Sequence, residues 1–370
     1  MRCLDTLLPV LAKDFGHSVG SVGGAASAYA FSYSAFQLVH GPLGDRVGAY
    51  RVVTWAAFMS ALAALACSLA PNLLTLVGAR FVAGGIAAAI GPLTLAWVSR
   101  STLPQERPLA LARMTAAAIL GTAAGQSGGG IIGGFLGWPL VFVALALLFT
   151  SAGAALLLIA RNRPELLQNA KHGRDANELS TSPAALIQRP AVARVVALVG
   201  VEGFAIYISL TYVGALLSDR LGLGPGRAGL IVALYGLGGL GFVLTAPRLF
   251  RTLTTPARSA LGGAMLGVGF VTLAIAGSVV VAAVSLFTIG FGFLMLHNVL
   301  QVMASNTAPE ALGTSLSMFA AASCLSQALG AGAGGFIFDR AAPVVTCLVS
   351  AAILAGLGAM IGIRGWAREG

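Results

Sequence analysis

Runs of about 20 apolar residues recur along the whole chain, each long enough at about 1.5 Å per residue to cross a hydrocarbon layer of about 30 Å. A backbone in lipid must satisfy its own N–H and C=O groups, so such runs fold as helices. Of 370 residues only 9% are charged and 57% are hydrophobic, too little charge to cover a water-soluble protein of this length. The 49 glycines suit helices that approach closely where no hydrophobic effect drives them together. The pattern predicts an all-α membrane protein with helices at roughly 1–12, 19–40, 52–70, 73–99, 108–135, 139–160, 191–217, 228–246, 259–277, 279–304, 314–336 and 342–363. The first is short, reaching about 18 Å. A start upstream of Met1 is therefore expected, the alternative being a genuinely short first span. No cleavable signal peptide is read.

The net charge of +10 is placed as membrane topology places it, not as a nucleic-acid patch. One set of loops carries Arg46 and Arg51, then Arg100, Arg107 and Arg113, then six basic residues from Arg161 to Arg194, then Arg248, Arg251 and Arg258, and finally Arg364 and Arg368. The alternate set carries Lys13, Arg220, Arg227 and Arg340. The richer set is expected to be cytoplasmic, with both termini on that side. The polar stretch Arg161–Pro190 has no apolar periodicity and reads as a linker (161–190) between an N-terminal bundle (1–160) and a C-terminal bundle (191–370). Gly20, Gly23 and Tyr29 recur at one constant separation as Gly226, Gly229 and Tyr235, the mark of an internal repeat. Cys3, Cys67, Cys324 and Cys347 lie in apolar runs without metal-ligand spacing and read as small core residues.

The segment Gly41-Pro42-Leu43-Gly44-Asp45-Arg46-Val47-Gly48 follows the second helix and resembles the loop signature of the major facilitator superfamily, Gly-x-x-x-Asp-Arg-x-Gly. Ala49-Tyr50 stands where that family usually has two basic residues. The resemblance implies a gating loop of Gly41, Asp45, Arg46 and Gly48. There Asp45 would hold the N-terminus of helix 11, near Gly313-Thr314-Ser315, where a carboxylate gains from the helix dipole. Leu76-x-x-x-Arg80-x-x-x-Gly84 resembles the family's helix 4 motif, with Ala83 in place of its usual Gln. Gly121, Gly125, Gly129 and Gly130 on helix 5 resemble its antiporter motif, with Gln126 in place of the usual Pro, and Gly137-Trp138 follows as in the family. Glycines at this spacing form a helix-packing groove. The resemblance covers the whole chain and implies twelve helices in two pseudo-symmetric six-helix bundles, with helices 1, 4, 7 and 10 lining a central cavity. It implies efflux of a small apolar or amphipathic compound by alternating access, coupled to protons by antiport.

Ionisable groups inside a membrane are costly and face the protein interior or water. Asp5, Arg80, Glu202 and His297 fall one on each of the four cavity helices. Asp5 and Arg80 lie at a similar depth, about 10 Å from one face, so a proton-dependent Asp5–Arg80 pair is expected. Asp5, Glu202 and Arg80 are the proton-coupling candidates. Tyr29, Tyr33, Gln37, Gln126, Phe204, Tyr207, His297, Asn298 and Gln301 are candidates for lining the substrate cavity.

The sequence has no P-loop, no His-Glu-x-x-His and no Gly-x-Ser-x-Gly, so no ATP drive, metal centre, cofactor or enzyme chemistry is expected. The expected partners are a small-molecule substrate, protons and membrane lipid, without nucleic acid. The chain is expected to work as a monomer in a bacterial inner membrane. An uptake permease would use the same carboxylates, and a non-transporting sensor or defective relative is the rival of another class.

Overall fold

The computed structural model describes residues 3–103, 107–163, 166, 183–308 and 312–364. The first half comprises α1 (Leu8–Phe15), α2 (Val19–Val47), α3 (Ala49–Ser68), α4 (Leu73–Ala87), α5 (Ile90–Ser101), α6 (Arg107–Phe135) and α7 (Trp138–Asn162). After the short α8 (Pro183–Leu186) come α9 (Pro190–Leu210), α10 (Val213–Leu221), α11 (Pro225–Thr252), α12 (Thr255–Ala274), α13 (Val279–Thr307), α14 (Leu312–Arg340) and α15 (Pro343–Arg364). Helices α4 and α5 are one crossing broken by a turn at Ala88–Ala89, and α9 and α10 are another broken at Thr211–Tyr212. Each half thus supplies six helical segments, of which α1, eight residues long, is too short to cross a bilayer by itself. Among the described residues, nine stretches are long and apolar enough to span a bilayer by length and composition.

Helix starts follow local chemistry. The side chains of Ser18, Asn72, Thr254 and Ser278 each accept a backbone N–H from three residues on, and Pro9, Pro190, Pro225 and Pro256 occupy first-turn positions that need no N–H. Three expectations are corrected. Residues 3–7 form turns, so the first helix begins only at Leu8. The Gly41–Val47 segment is not a loop, because α2 stays helical through Pro42 to Val47. Proline removes one N–H from the ladder, whereas Gly48 at φ 100° takes a backbone conformation that side-chain-bearing residues rarely adopt, and it is Gly48 that turns the chain into α3. Likewise α11 runs through Pro247 to Thr252.

Within the first half α2 packs on α4, and α3 packs on α7. Within the second, α9 packs on α14, α11 on α13, and α12 on α13 and α15. Between the halves α2 meets α14 and α6 meets α11. The internal repeat has a structural meaning. Gly84 on α4 lies against the Tyr29 carbonyl of α2, and Gly290 on α13 lies against the Tyr235 carbonyl of α11. These contacts are related by the same sequence separation as the glycine pairs. Gly20 and Gly23 of α2 face Gly335 and Tyr212 of the other half, and their counterparts Gly226 and Gly229 of α11 face α6.

The cores differ in extent. One cluster fills the second half from Val195 to Ile361. A second gathers Leu4, Leu7, Leu8, Leu11, Trp138 and Phe142 of the first half together with Tyr212 of the second. The halves are pressed together at the end of the molecule that carries few arginines. There a Cβ on Gly20 would fall on the Gly335 carbonyl, one on Gly130 on the Pro225 carbonyl, and one on Gly214 would sit 2.8 Å from the Asp5 carbonyl. Nearer the arginine-rich end, no described residue comes within 4 Å of a Cβ placed on Gly121 or Gly125.

Candidate functional site

Two clusters of polar and aromatic side chains lie on the inner helices, one in each half. In the first, α2 presents Tyr29, Tyr33 and Gln37 at four-residue intervals, which puts them on one helical face. The rings of Tyr29 and Tyr33 stack at 6.2 Å between centroids. From α4, the buried Arg80 lays its guanidinium 4.0 Å from the centroid of the Tyr29 ring and 5.9 Å from that of Phe142. A cation desolvated over aromatic faces recovers part of its lost hydration from the ring quadrupoles. Asp5 is 2% exposed and lies in the turns before α1 rather than on a helix, beside Thr6, whose hydroxyl points to the Gln126 carbonyl at 3.5 Å. Asp5 and Arg80 are both held inside the first half among interacting groups.

In the second cluster, α9 carries Glu202, fully buried, and α13 carries His297. The His297 Nδ1 lies 2.7 Å from the Glu202 Oε2. The imidazole is packed between Phe293, 5.2 Å away between centroids, and Phe319, 5.1 Å away. One proton can sit between these two atoms, donated either by a neutral carboxyl or by the imidazole. The other carboxylate oxygen, Oε1, has no hydrogen-bond partner among the described residues. A buried carboxylate with one shared and one unshared oxygen is costly to keep charged. His297 retains 21% exposure, which leaves the pair a route to the outside of the packed core. Sequence reasoning singles out both residues but does not pair them, because spacing along one helix says nothing about rotation of α9 relative to α13.

Gln37 joins the clusters. It lies near the Tyr33 hydroxyl and the Cys324 thiol on α14. Beside Cys324, Ser323 accepts from the Gln327 amide at 3.0 Å, and the Ser323 carbonyl lies 3.0 Å from a Cβ built on Gly203, next to Glu202. The other predicted cavity residues are dispersed. Phe204, Tyr207 and Asn298 are half-buried, and Gln301 is exposed. Gln126 is not on this surface: it is 1% exposed in the seam between α6 and α11, with both amide atoms lacking a hydrogen-bond partner among the described residues.

The helix 5 glycines divide by position. Gly129 and Gly130 abut Cys3 and Pro225, while Gly121 and Gly125 make no such approach among the described residues. Trp138, next to Gly137, donates its Nε1–H to the Asp14 Oδ2 at 3.0 Å and so ties α7 to α1. Of the gating segment, Gly41 and Gly48 are placed on the backbone at the end of α2, and the side chains of Asp45 and Arg46 lie outside what the structure describes. Ser315, at the start of α14, donates to the Ala304 carbonyl of α13 at 2.7 Å. No group of three or more metal-ligating side chains occurs among the described residues.

Comparison with known proteins fits this arrangement. The crystal structure of the nucleoside transporter NupG superposes with a TM-score of 0.76, covering 98% of this chain and 94% of that one at 13% identity, a likeness of fold alone. An uncharacterized MFS-type transporter of Bacillus subtilis (strain 168), YceJ, is 25% identical over 91% of this chain and 85% of its own length. The cephamycin export protein CmcT of Amycolatopsis lactamdurans is 30% identical over 42% of this chain and 33% of its own length. The family model described as Major Facilitator Superfamily matches residues 1–331, and the chain, an integral multi-pass membrane protein, belongs to that superfamily of transporters.

Proposed function

We propose that this transporter exports a small apolar or amphipathic compound in exchange for protons, with the Glu202–His297 pair as the proton carrier. The observation that carries this reading is the 2.7 Å contact between a fully buried carboxylate and a partly exposed imidazole, bridging α9 and α13. A proton arriving at His297 neutralises the pair, and substrate entering beside Phe293 and Phe319 displaces it. The aromatic walls, with Tyr29 and Tyr33 opposite, suit an apolar body carrying a polar handle. Asp5 and Arg80 form the second proton-sensitive pair in this reading. Residues 1–160 and 191–370 rock against each other, with 161–190 as the linker. Asp45 latches the arginine-rich end, which faces the cytoplasm of a bacterial cell with both termini. Export accords with the name of the relative CmcT, whose matched part is a third of its length.

The test is a substrate-triggered proton signal from purified protein in liposomes challenged with a panel of amphipathic compounds. Glu202→Gln keeps the side-chain shape and a hydrogen bond to His297 but cannot exchange a proton. The expected result is a signal in the wild type that is lost in Glu202→Gln, with substrate binding retained. A signal of equal size in the mutant removes Glu202 from coupling, and proton flow along with the compound instead of against it reverses the direction.

A further inference from the structure

We propose that Asp339, at the end of α14, is a gating latch for the arginine-poor end of the transporter, the counterpart of the Asp45 segment at the other end of the same helix pair. Helices α2 and α14 run antiparallel, so the end of each lies beside the start of the other. The segment Gly41-x-x-x-Asp45-Arg46 closes α2, and the same pattern, Gly335-x-x-x-Asp339-Arg340, closes α14. At the second site the whole device is visible.

The Asp339 carboxylate straddles the start of α2. Its Oδ1 accepts the Gly20 backbone N–H at 2.9 Å, and its Oδ2 accepts the Ser18 hydroxyl. Gly20 N–H belongs to the first turn of α2, where the backbone donors have no partner within the helix and the dipole favours negative charge. Ser18 is itself the cap of α2, accepting the Ser21 N–H at 3.1 Å. One carboxylate of the second half therefore holds both the cap and the first turn of a helix in the first half.

The glycines make this approach possible. A Cβ at Gly20 would fall on the Gly335 carbonyl and the Asp339 carboxylate, and a Cβ at Gly335 would lie 2.9 Å from the Gly20 carbonyl. Tyr212, 1% exposed at the break between α9 and α10, fills the angle beneath. Its hydroxyl donates to the Ala331 carbonyl at 2.8 Å, and its ring stacks on Phe338 at 5.3 Å. Gly23 leaves room for the same hydroxyl. Arg340 is turned aside, its guanidinium 3.6 Å from the centroid of the Phe336 ring, so the carboxylate faces α2.

The mechanical consequence follows from the hydrogen-bond geometry. Separating the halves at this end breaks both bonds to Asp339 together and returns the first-turn donor of α2 to water. The latch therefore favours the state closed at the arginine-poor end, and weakening it shifts the population toward the opposite state. Asp339 is exposed, so the effect is discounted for solvent screening to roughly a three- to fivefold change in the ratio of the two states.

The test reads that ratio without substrate or protons, so its failure is distinct from failure of the transport reading. Spin labels on cysteines at Leu74 and Val280, 82% and 70% exposed, report the arginine-poor end, and labels at Leu103 and Ile363, 64% and 85% exposed, report the other. Cys3, Cys67, Cys324 and Cys347 are replaced by alanine, and distances are measured by pulsed electron resonance in nanodiscs. Asp339→Ala lengthens the Leu74–Val280 distances and shortens the Leu103–Ile363 distances. Asp339→Asn, which keeps an acceptor and loses the charge, gives a smaller shift of the same sign, as does Ser18→Ala. Unchanged distributions in all three variants overturn the proposal. So does lengthening at both ends, which would mean loosened packing instead of a released latch.

Discussion

Replacing Gly290 by alanine separates the stability of one bundle from the equilibrium between bundles. A Cβ there would stand 2.7 Å from the Tyr235 carbonyl carbon and 3.0 Å from its Cα, both on α11. Ordinary carbon contacts are about 3.5–4.0 Å and the Cβ would also fall on the Tyr235 carbonyl oxygen, so α11 and α13 must part by more than about 1 Å or bend. Overpacking of this kind costs about 1–3 kcal/mol, offset by the roughly 0.5–1 kcal/mol that alanine gains over glycine inside a helix. The clash is with main chain and not with a side chain that can swing away, which puts the cost in the upper part of that range, about 2–3 kcal/mol, and the net at about 1–2.5 kcal/mol. Scaled by entropy per residue, this lowers Tm by about 1–3 °C in a chain of this length. Gly84→Ala, the repeat counterpart, meets the Tyr29 carbonyl carbon at 3.0 Å and should cost somewhat less. Gly24 and Gly200 have nothing within 4 Å of a built Cβ, so alanine there should be neutral or mildly stabilising. The assay is thermal unfolding in detergent, followed by exposure of the buried cysteines to a thiol-reactive dye. A Gly290→Ala protein as stable as Gly200→Ala would refute the claim that these helices touch backbone to backbone.

Gly229→Ala acts across the seam, where a Cβ would lie 3.0 Å from the Gln126 carbonyl and 3.3 Å from the Gly130 Cα. It should shift the conformational ratio toward separation at the arginine-poor end, read with the same spin labels, and leave Tm within about 1 °C. His297→Ala strips Glu202 of its partner and should destabilise by about 1–3 kcal/mol in thermal unfolding. In a Glu202→Leu background the same change should cost much less, and strict additivity would show that the pair is not coupled. Trp138→Phe keeps the aromatic packing and loses the bond to Asp14, so it should lower stability by about 1 kcal/mol while transport in liposomes persists.

The membrane helices are legible in the sequence because apolar runs of bilayer length are the strongest signal a chain carries. Helix ends are less so. Gly41 to Gly48 reads as a loop because it holds three glycines and a proline, yet only Gly48 needs a conformation incompatible with the helix. Burial is legible for Asp5, Arg80 and Glu202, since a lone charge in an apolar run has few other places to be. Partners are not legible, because they depend on how each helix is rotated about its axis. Glu202 and His297 meet for that reason, and Gln126 points into the α6–α11 seam. Asp339 stands at a helix end among apolar residues and draws no notice by itself. Its signal lies in the repeated Gly-x-x-x-Asp-Arg spacing, which becomes informative once α2 and α14 are known to lie antiparallel.

The glycine-lined seam has a consequence for speed. Where Gly20 meets Gly335 and Gly130 meets Gly229, the surfaces that would part in the proposed transport cycle are largely main chain. A joint filled by interlocked leucines would have to unseat rotamers each time it opened and refit them each time it closed. Smooth backbone faces carry few such torsions, so this end of the joint works like a plain bearing. Its friction comes from a handful of hydrogen bonds and not from a jigsaw of side chains, and adding bulk at those glycines should slow turnover even where both end states remain reachable.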